Sequence, residues 1–568
     1  MKKTSPFFLF FILLFILLST FYFLLSNSAS ADSFGQTVLF NVNPEYEYLQ
    51  RSQISATLRK ISDKAYWYVS DDYWIGISEL EKNLFLPKLD ELALEFDSRI
   101  YPVQTQFWGS EPKPGIDNDL RTTIFITRLI DQAGGYFDTS HLYRKTEVPE
   151  SNEREMVFLN SSSIINGRAR MFLAHEFQHL IGFNQKDILR GVSEDTWLNE
   201  IRAEYGPRLL GYDDTYESSN IRRRVFAFEQ NPSDPLVEWQ NLGSDYGAAA
   251  LFMFYLVDHY GEKIIGDSQR IDKIGIESIN QTLLSSGFAE SFSDIFSNWS
   301  IANVLNDETV SPRFAYKFTH LKNLRIPSSQ SYSLSGTGDL ISVLNTVKDW
   351  QPVWYEFNTP INAGANLNLK IEFSADPGTK FRVPYIVFKI NGQKEIGFFP
   401  LNETSGKLFV KNFGSEVHKV VLIPANHSKT SDFTKNDPSS QFTFKVQMTS
   451  EFEEAIPAPI SIQDLLDQIS ALQKQIAQLR QERVLSLPIL PTASALNRNL
   501  FVRLQGEDVR WLQEFLIKDG VYPEARITGY FGILTKTAVI KFQQKHGIFP
   551  QIGYVGAKTR AKIQELGK

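Results

Sequence analysis

Two side chains four residues apart share a face only if the backbone between them is helical. His175-Glu176-Phe177-Gln178-His179 therefore constrains this chain more than any other stretch of it. Arg168 to Ala174 leads into it without a breaker, and Gly182 predicts where the helix stops. On that helix both imidazoles reach one metal ion, and Glu176 lies beside it to act on a bound water. The plain alternative is a surface helix with two satisfied histidines.

A catalytic zinc site takes three protein ligands and keeps a fourth position for water. The next segment offers the third. In Trp197-Leu198-Asn199-Glu200-Ile201-Arg202-Ala203-Glu204-Tyr205, Glu200 and Glu204 are again i and i+4. Glu200 would bind the metal through oxygen. Glu204 would hydrogen-bond the free ring nitrogen of a ligand histidine and fix its tautomer. The alternative is an amphipathic helix with a solvated acidic face. Glu194 and Asp195 are weaker ligand candidates, because they precede the Trp-Leu pair in a loop or cap.

H-E-F-Q-H-L-I followed by W-L-N-E-x-x-A-E-Y resembles the gluzincin metallopeptidases of the thermolysin-like clan, and most of all their hyicolysin-type secreted members. The resemblance covers roughly residues 35–320 and is most specific over 157–205. Pro114-Gly115-Ile116-Asp117-Asn118-Asp119 and Ala133-Gly134-Gly135-Tyr136-Phe137 add to it, whereas Ile201 stands where family members often carry glycine. The resemblance implies zinc held by His175, His179 and Glu200, with Glu176 as general base for water attack on a peptide carbonyl. The tetrahedral oxyanion needs a further donor. Tyr246, at the start of a helix rich in small residues, is the first candidate, ahead of Tyr205 and His259; a tyrosine merely packed at a helix start is the alternative. The strand Met156–Asn160 is expected either to line the cleft, pairing its edge with an extended peptide, or to be an ordinary core strand. Asp117 and Asp119 are candidates for calcium, against the commoner aspartate-rich turn.

Composition narrows the classes. A chain of 568 residues accommodates three or four domains. With a net charge of −7 and no basic concentration, nothing points to nucleic acid. Cysteine is absent, which excludes disulfides, a cysteine-anchored lipid and a thiol enzyme, and leaves nitrogen and oxygen as metal ligands. Met1-Lys2-Lys3, the apolar run Phe7–Leu25 and Ala29-Ser30-Ala31 fit a cleaved export signal; the run is also long enough to stay in a bilayer as an anchor.

The expected architecture is multidomain α+β. Residues 1–31 are the signal peptide or membrane anchor, and 32–325 a zincin-like metallopeptidase domain. Residues 326–450, with short alternating runs between Gly, Pro, Asn and Asp clusters, read as a β-sandwich. Over 451–497 a linker carries Ile462, Leu465, Ile469, Leu472, Ile476 and Leu479 at heptad spacing, a short coiled coil or helical spacer that would pair two chains weakly. Residues 498–568 closely resemble the three-helix peptidoglycan-binding-like domain. Its marks are Val509, Leu512, Phe515 and Leu516 on one apolar face, Ala538, Val539 and Phe542 on another, and a Gly529-Tyr530-Phe531-Gly532 turn.

Together these features predict a secreted zinc metalloendopeptidase acting on protein and held at the cell envelope through peptidoglycan. Membrane contact follows only if the N-terminal segment is retained. A peptidoglycan peptide hydrolase is the first alternative. A wall-binding adhesin whose peptidase fold has lost activity is the second, and the intact ligand set with its glutamate argues against it.

Overall fold

The computed structural model describes residues 31–566 apart from 213–214, 361–366, 451–495, 497, 503, 523–526, 549–550 and 552. The apolar run of the export signal and the heptad segment 462–479 lie outside the described residues. Among those described, no helix is long and apolar enough to cross a membrane. The chain forms two compact units, one taking in residues to Leu189 together with Arg202–Asp214, the other Arg190–Ile201 and the chain from Thr215 onward.

The first unit is built on a six-stranded sheet in the order β1-β2-β3-β4-β6-β5, with β1 (Thr37–Asn41), β2 (Gln53–Ile61), β3 (Ala65–Ser70), β4 (Thr122–Thr127), β5 (Gly135–Phe137) and β6 (Met156–Asn160). The two parallel pairings, β3 with β4 and β4 with β6, lie in its centre. All residues of β3, β4 and β6 are buried, which is why these strands read as continuous apolar runs rather than alternating ones. β2 alternates instead, burying Ile54, Ala56 and Leu58. Met156–Asn160 is thus an inner strand, covered by β4 on one side and antiparallel β5 on the other. Its expected role as a pairing edge is corrected: the edge strand is β5.

Helices α1 (Asp71–Gly76), α2 (Glu79–Glu95), α3 (Tyr101–Trp108), α4 (Ser161–Ile165), α5 (Ala169–Phe183) and α6 (Thr196–Leu209) accompany this sheet in sequence. α5 does not stop at Gly182. It runs to Phe183 and continues as a π-helical turn over Asn184–Ile188. The cause is an anchor beyond the glycine: Asn184 Nδ2 and Gln185 Nε2 both donate to the Ser110 carbonyl, at 2.7 and 2.8 Å. Gly182 is buried within the helix, where lack of a side chain costs helix propensity but does not by itself end the helix.

In the second unit α7 (Asn220–Gln230), α8 (Gly243–Tyr260), α9 (Lys263–Gln269), α10 (Gly275–Ser285) and α11 (Phe292–Leu305) precede two five-stranded sheets. One has the order 401–402, 405–410, 368–375, 440–449, 340–347; the other 394–398, 384–389, 417–422, 355–358, 330–333. A single apolar cluster draws on both, including Phe373, Phe442, Phe444 and Val446 from the first and Tyr355, Phe357, Val387 and Val420 from the second. The strand Ser440–Thr449 shows the alternation that permits this, with Phe442, Phe444, Val446 and Met448 buried and the residues between them more exposed.

Near the C-terminus α12 (Glu507–Lys518), α13 (Ile533–Lys545) and α14 (Ala557–Leu566) follow. Val509, Leu512, Leu516, Val539, Phe542 and Ile563 form their core, all fully buried. Two glutamines hold the connections in matching ways. Gln513 accepts from the Thr528 and Gly529 amides and donates to Tyr530 O and Thr535 Oγ1. Gln543 accepts from the Gly553 amide and donates to Tyr554 O and Thr559 Oγ1. The repeated Gly-Tyr-x-Gly-x-x-Thr is therefore the signature of two equivalent turns, with Gly529 and Gly553 at positive φ (73° and 80°).

Candidate metal centre

α5 is buried over most of its circumference because its outer face packs against aromatic side chains. Phe177 meets Phe96 and Tyr101 with ring centroids 5.1 and 5.5 Å apart. This fixes the rotation of the helix and turns the other face, with the two histidines, to one point. His175 Nε2 and His179 Nε2 lie 3.2 Å apart, their rings nearly perpendicular at 78°. Two ring nitrogens aimed at one another leave their lone pairs converging on a shared position, as two ligands of one ion require.

α6 brings the carboxylates. His175, His179 and Glu200 each offer a ligand atom, all within 4.8 Å of one another, and this is the one grouping of three or more metal-ligating side chains found among the described residues. The donor set is two imidazoles and a carboxylate, the chemistry of a three-ligand zinc site. Glu204 Oε1 stands 3.6 Å from His175 Nδ1, the ring nitrogen pointing away from His179. That separation is just beyond a hydrogen bond, but close enough for a carboxylate to favour the Nδ1–H tautomer.

Glu176 is 7% exposed. Its chain is hemmed by the edge strand: a Cβ on Gly135 would lie 2.9 Å from Glu176 Cγ and 2.7 Å from the Phe158 carbonyl oxygen. Only glycine lets β5 approach this closely. The Ala133–Phe137 motif is in this sense part of the site's surroundings, a role its sequence alone does not disclose.

The remaining candidates are engaged elsewhere. The Tyr246 hydroxyl donates to Asn241 Oδ1 at 2.9 Å, while its ring packs edge-on to Trp239 and under the Arg224 guanidinium. Tyr205 is buried beside Phe107 and Trp108. His259 Nε2 donates to the Ala315 carbonyl at 2.9 Å, and burial pulls its pKa down to about 4, so it is a neutral packing residue. Glu194 Oε1 accepts from the Gly275 amide at 2.6 Å. Asp195 Oδ1 accepts from the Phe433 amide at 3.3 Å, and burial with the neighbouring Glu194 and Asp432 charges raises its pKa to about 7. Asp117 and Asp119 close the turn before β4: Asp117 Oδ1 accepts from the Asp119 amide, Asp119 Oδ1 from the Arg121 amide and Asp119 Oδ2 from the Tyr66 hydroxyl. Three groups escaped the sequence reading. Glu155, under Gly115, is pushed by burial to about pKa 7. Gln104 and Gly206 meet at the backbone just before His175. A glycine followed by proline inside the helix that carries Glu200 was the available signal for the last.

Residues 505–564 match the family described as "Putative peptidoglycan binding domain". The neutral metalloprotease ShpI of Staphylococcus hyicus is 27% identical over a 187-residue alignment that takes in 28% of this chain and 40% of that protein. The chain thus spans less than half the length of this curated relative. Among solved structures, the catalytic module of the metalloprotease ZmpA from Clostridium perfringens aligns at 14% identity, TM-score 0.25, over 66% of each chain. The pre-peptidase C-terminal domain of a Bacillus anthracis collagenase aligns at 10% identity, TM-score 0.15, over 22% of this chain and 97% of its own. The resemblances read from the motifs, to metallopeptidases and to a C-terminal peptidoglycan-binding domain, agree with the curated relative and the family match.

Proposed function

We propose that this chain is a zinc metalloendopeptidase that cleaves protein substrates outside the cell and is held at the envelope by its C-terminal peptidoglycan-binding-like unit. The observation that carries this reading is the convergence of His175, His179 and Glu200 with Glu176 on the same helix. In this account residues to about 325 form a zincin-like catalytic part, the two-sheet region is a β-sandwich spacer, and the segment before Asp32 directs export.

His175, His179 and Glu200 would hold the zinc, which would supply Lewis acidity to polarise the peptide carbonyl and acidify water. Glu176 takes the proton of the attacking water and passes it to the leaving amine. Glu204 orients His175 through Nδ1. β5, the edge strand of the sheet, pairs with an extended substrate beside Glu176. Tyr246, released from Asn241, donates to the tetrahedral oxyanion.

The match of residues 505–564 favours one competing reading, a hydrolase of peptidoglycan stem peptides. Purified chain is tested on unfolded casein and on purified peptidoglycan, with and without a chelator. Chelator-sensitive casein cleavage is expected. Cleavage of stem peptides with casein untouched would replace the proposed substrate, and inactivity on both would remove the enzyme reading.

A further inference from the structure

The two helices that carry the candidate ligands meet at one backbone atom. Gln104 of α3, fully buried, donates from Nε2 to the Ala174 carbonyl at 2.7 Å. Gly206 of α6 closes on the same carbonyl. A Cβ at position 206 would stand 2.9 Å from Ala174 O, 3.5 Å from its carbonyl carbon and 3.6 Å from Gln104 Nε2. Ala174 directly precedes His175, and Gly206 lies two residues after Glu204. α3 also braces α6 from the side, with Trp108 set edge-on to the Tyr205 ring at 6.3 Å.

Glycine near the end of a helix usually serves a left-handed cap. Gly206 does not: unlike Gly211, its φ is not positive. Nor does it help the helix, since glycine inside a helix is less favourable than alanine and Pro207 follows it. What the position requires is the absence of a Cβ. The atom in the way is a helix-backbone oxygen, which cannot turn aside as a side chain would. Any larger residue must push α6 away from α5 by a few tenths of an ångström.

We propose that Gly206 and Gln104 are positioning residues that set the spacing of α5 and α6, and with it the distance of Glu200 and Glu204 from the two histidines. Gly206 permits the approach, and Gln104 holds the Ala174 carbonyl at the contact. This rests on the metal reading of His175, His179 and Glu200. Metal sites tolerate ligand displacements of only about 0.2 Å, so a helix shift of this size acts on affinity before it acts on the fold.

The test uses the full chain, freed of metal and titrated with cobalt(II) and zinc, for wild type, Gly206→Ala and Gln104→Met. Metal affinity by chelator competition, the visible spectrum of the cobalt form and the unfolding midpoint of the metal-free form are read on each. Gly206→Ala is expected to weaken zinc binding about 10–100-fold, the range for residues that orient ligands, and to change the cobalt bands while the metal-free midpoint stays close to wild type. Unchanged affinity and cobalt spectrum in folded Gly206→Ala would overturn the proposal and leave the metal site standing. Loss of stability alone, with normal metal affinity in the folded fraction, would reduce Gly206 to a packing residue and overturn it equally. Should Gly206→Ala not fold, Gln104→Met, which keeps volume and loses the amide, decides by the same readings. Wild type that binds neither metal would remove the metal site itself, and this inference with it.

Discussion

The strand Ser440–Thr449 and helix α5 bury their side chains by opposite rules. The strand sends Phe442, Phe444, Val446 and Met448 inward and the polar residues between them outward, so apart from Thr449 at its end the buried positions are apolar. α5 buries ten of its fifteen residues, and Glu176 and Gln178 are among them. Burying a carboxylate is unfavourable unless it is paired, hydrogen-bonded or bound to a metal. The strand thus obeys its local pattern of alternation. α5 and α6 break theirs with a buried acid, a Gly-Pro in the last turn of α6 and two facing imidazoles, and such violations mark functional sites.

Five substitutions sharpen that contrast. Glu176→Gln is expected to lower kcat/KM on casein by about 10²–10⁴-fold with the unfolding midpoint preserved; a comparable fall in stability would make Glu176 a structural residue. Phe444→Ala should do the reverse, costing about 3–5 kcal/mol of stability in denaturant unfolding while the folded fraction keeps its turnover. Tyr246→Phe tests the oxyanion assignment. A loss of about 10²-fold in kcat with unchanged zinc affinity is expected, and wild-type kcat would return the tyrosine to its packing role against Trp239. Glu204→Gln should weaken zinc about 10-fold or more, measured by chelator competition, with little change in the metal-free protein.

The smallest effect concerns pH. Burial, with the Glu194 and Asp432 charges, raises the pKa of Asp195 from 3.8 to about 7. The folded state therefore binds more protons than the unfolded state between those values, and this group's contribution to stability is fully present below pH 3.8 and is lost as pH rises towards 7. Asp195→Asn should flatten that part of the stability–pH curve, and its slope by thermal unfolding is the check. His259 opposes it. Its pKa, lowered from 6.5 to about 4, gives stability that is present above pH 6.5 and lost as pH falls towards 4.

What could be read from the chain beforehand follows the reach of each signal. His175, His179, Glu200 and Glu204 were legible because i,i+4 spacing on a helix fixes a shared face without any tertiary knowledge. The strands containing Tyr385–Phe388 and Phe442–Val446 were legible for the same reason at period two. Gly182 misled because a helix end depends on what lies beyond it, here the anchoring of Asn184 and Gln185 on Ser110. Met156–Asn160 gave away its burial but not its place in the sheet, since strand order comes from pairing with β4 and β5. Gln104, Gly135 and Gly206 were silent because a close approach belongs to two segments at once. The hydrogen bond of Tyr246 to Asn241 was equally invisible, as it depends on the turn that precedes α8.

The measurement closest to the central claim is zinc content beside casein hydrolysis for wild type and Glu176→Gln, each purified as the full chain. The account predicts one zinc per chain in both, with hydrolysis in the wild type only. Hydrolysis surviving in Glu176→Gln, or wild type purified without zinc and unable to take it up, would contradict it.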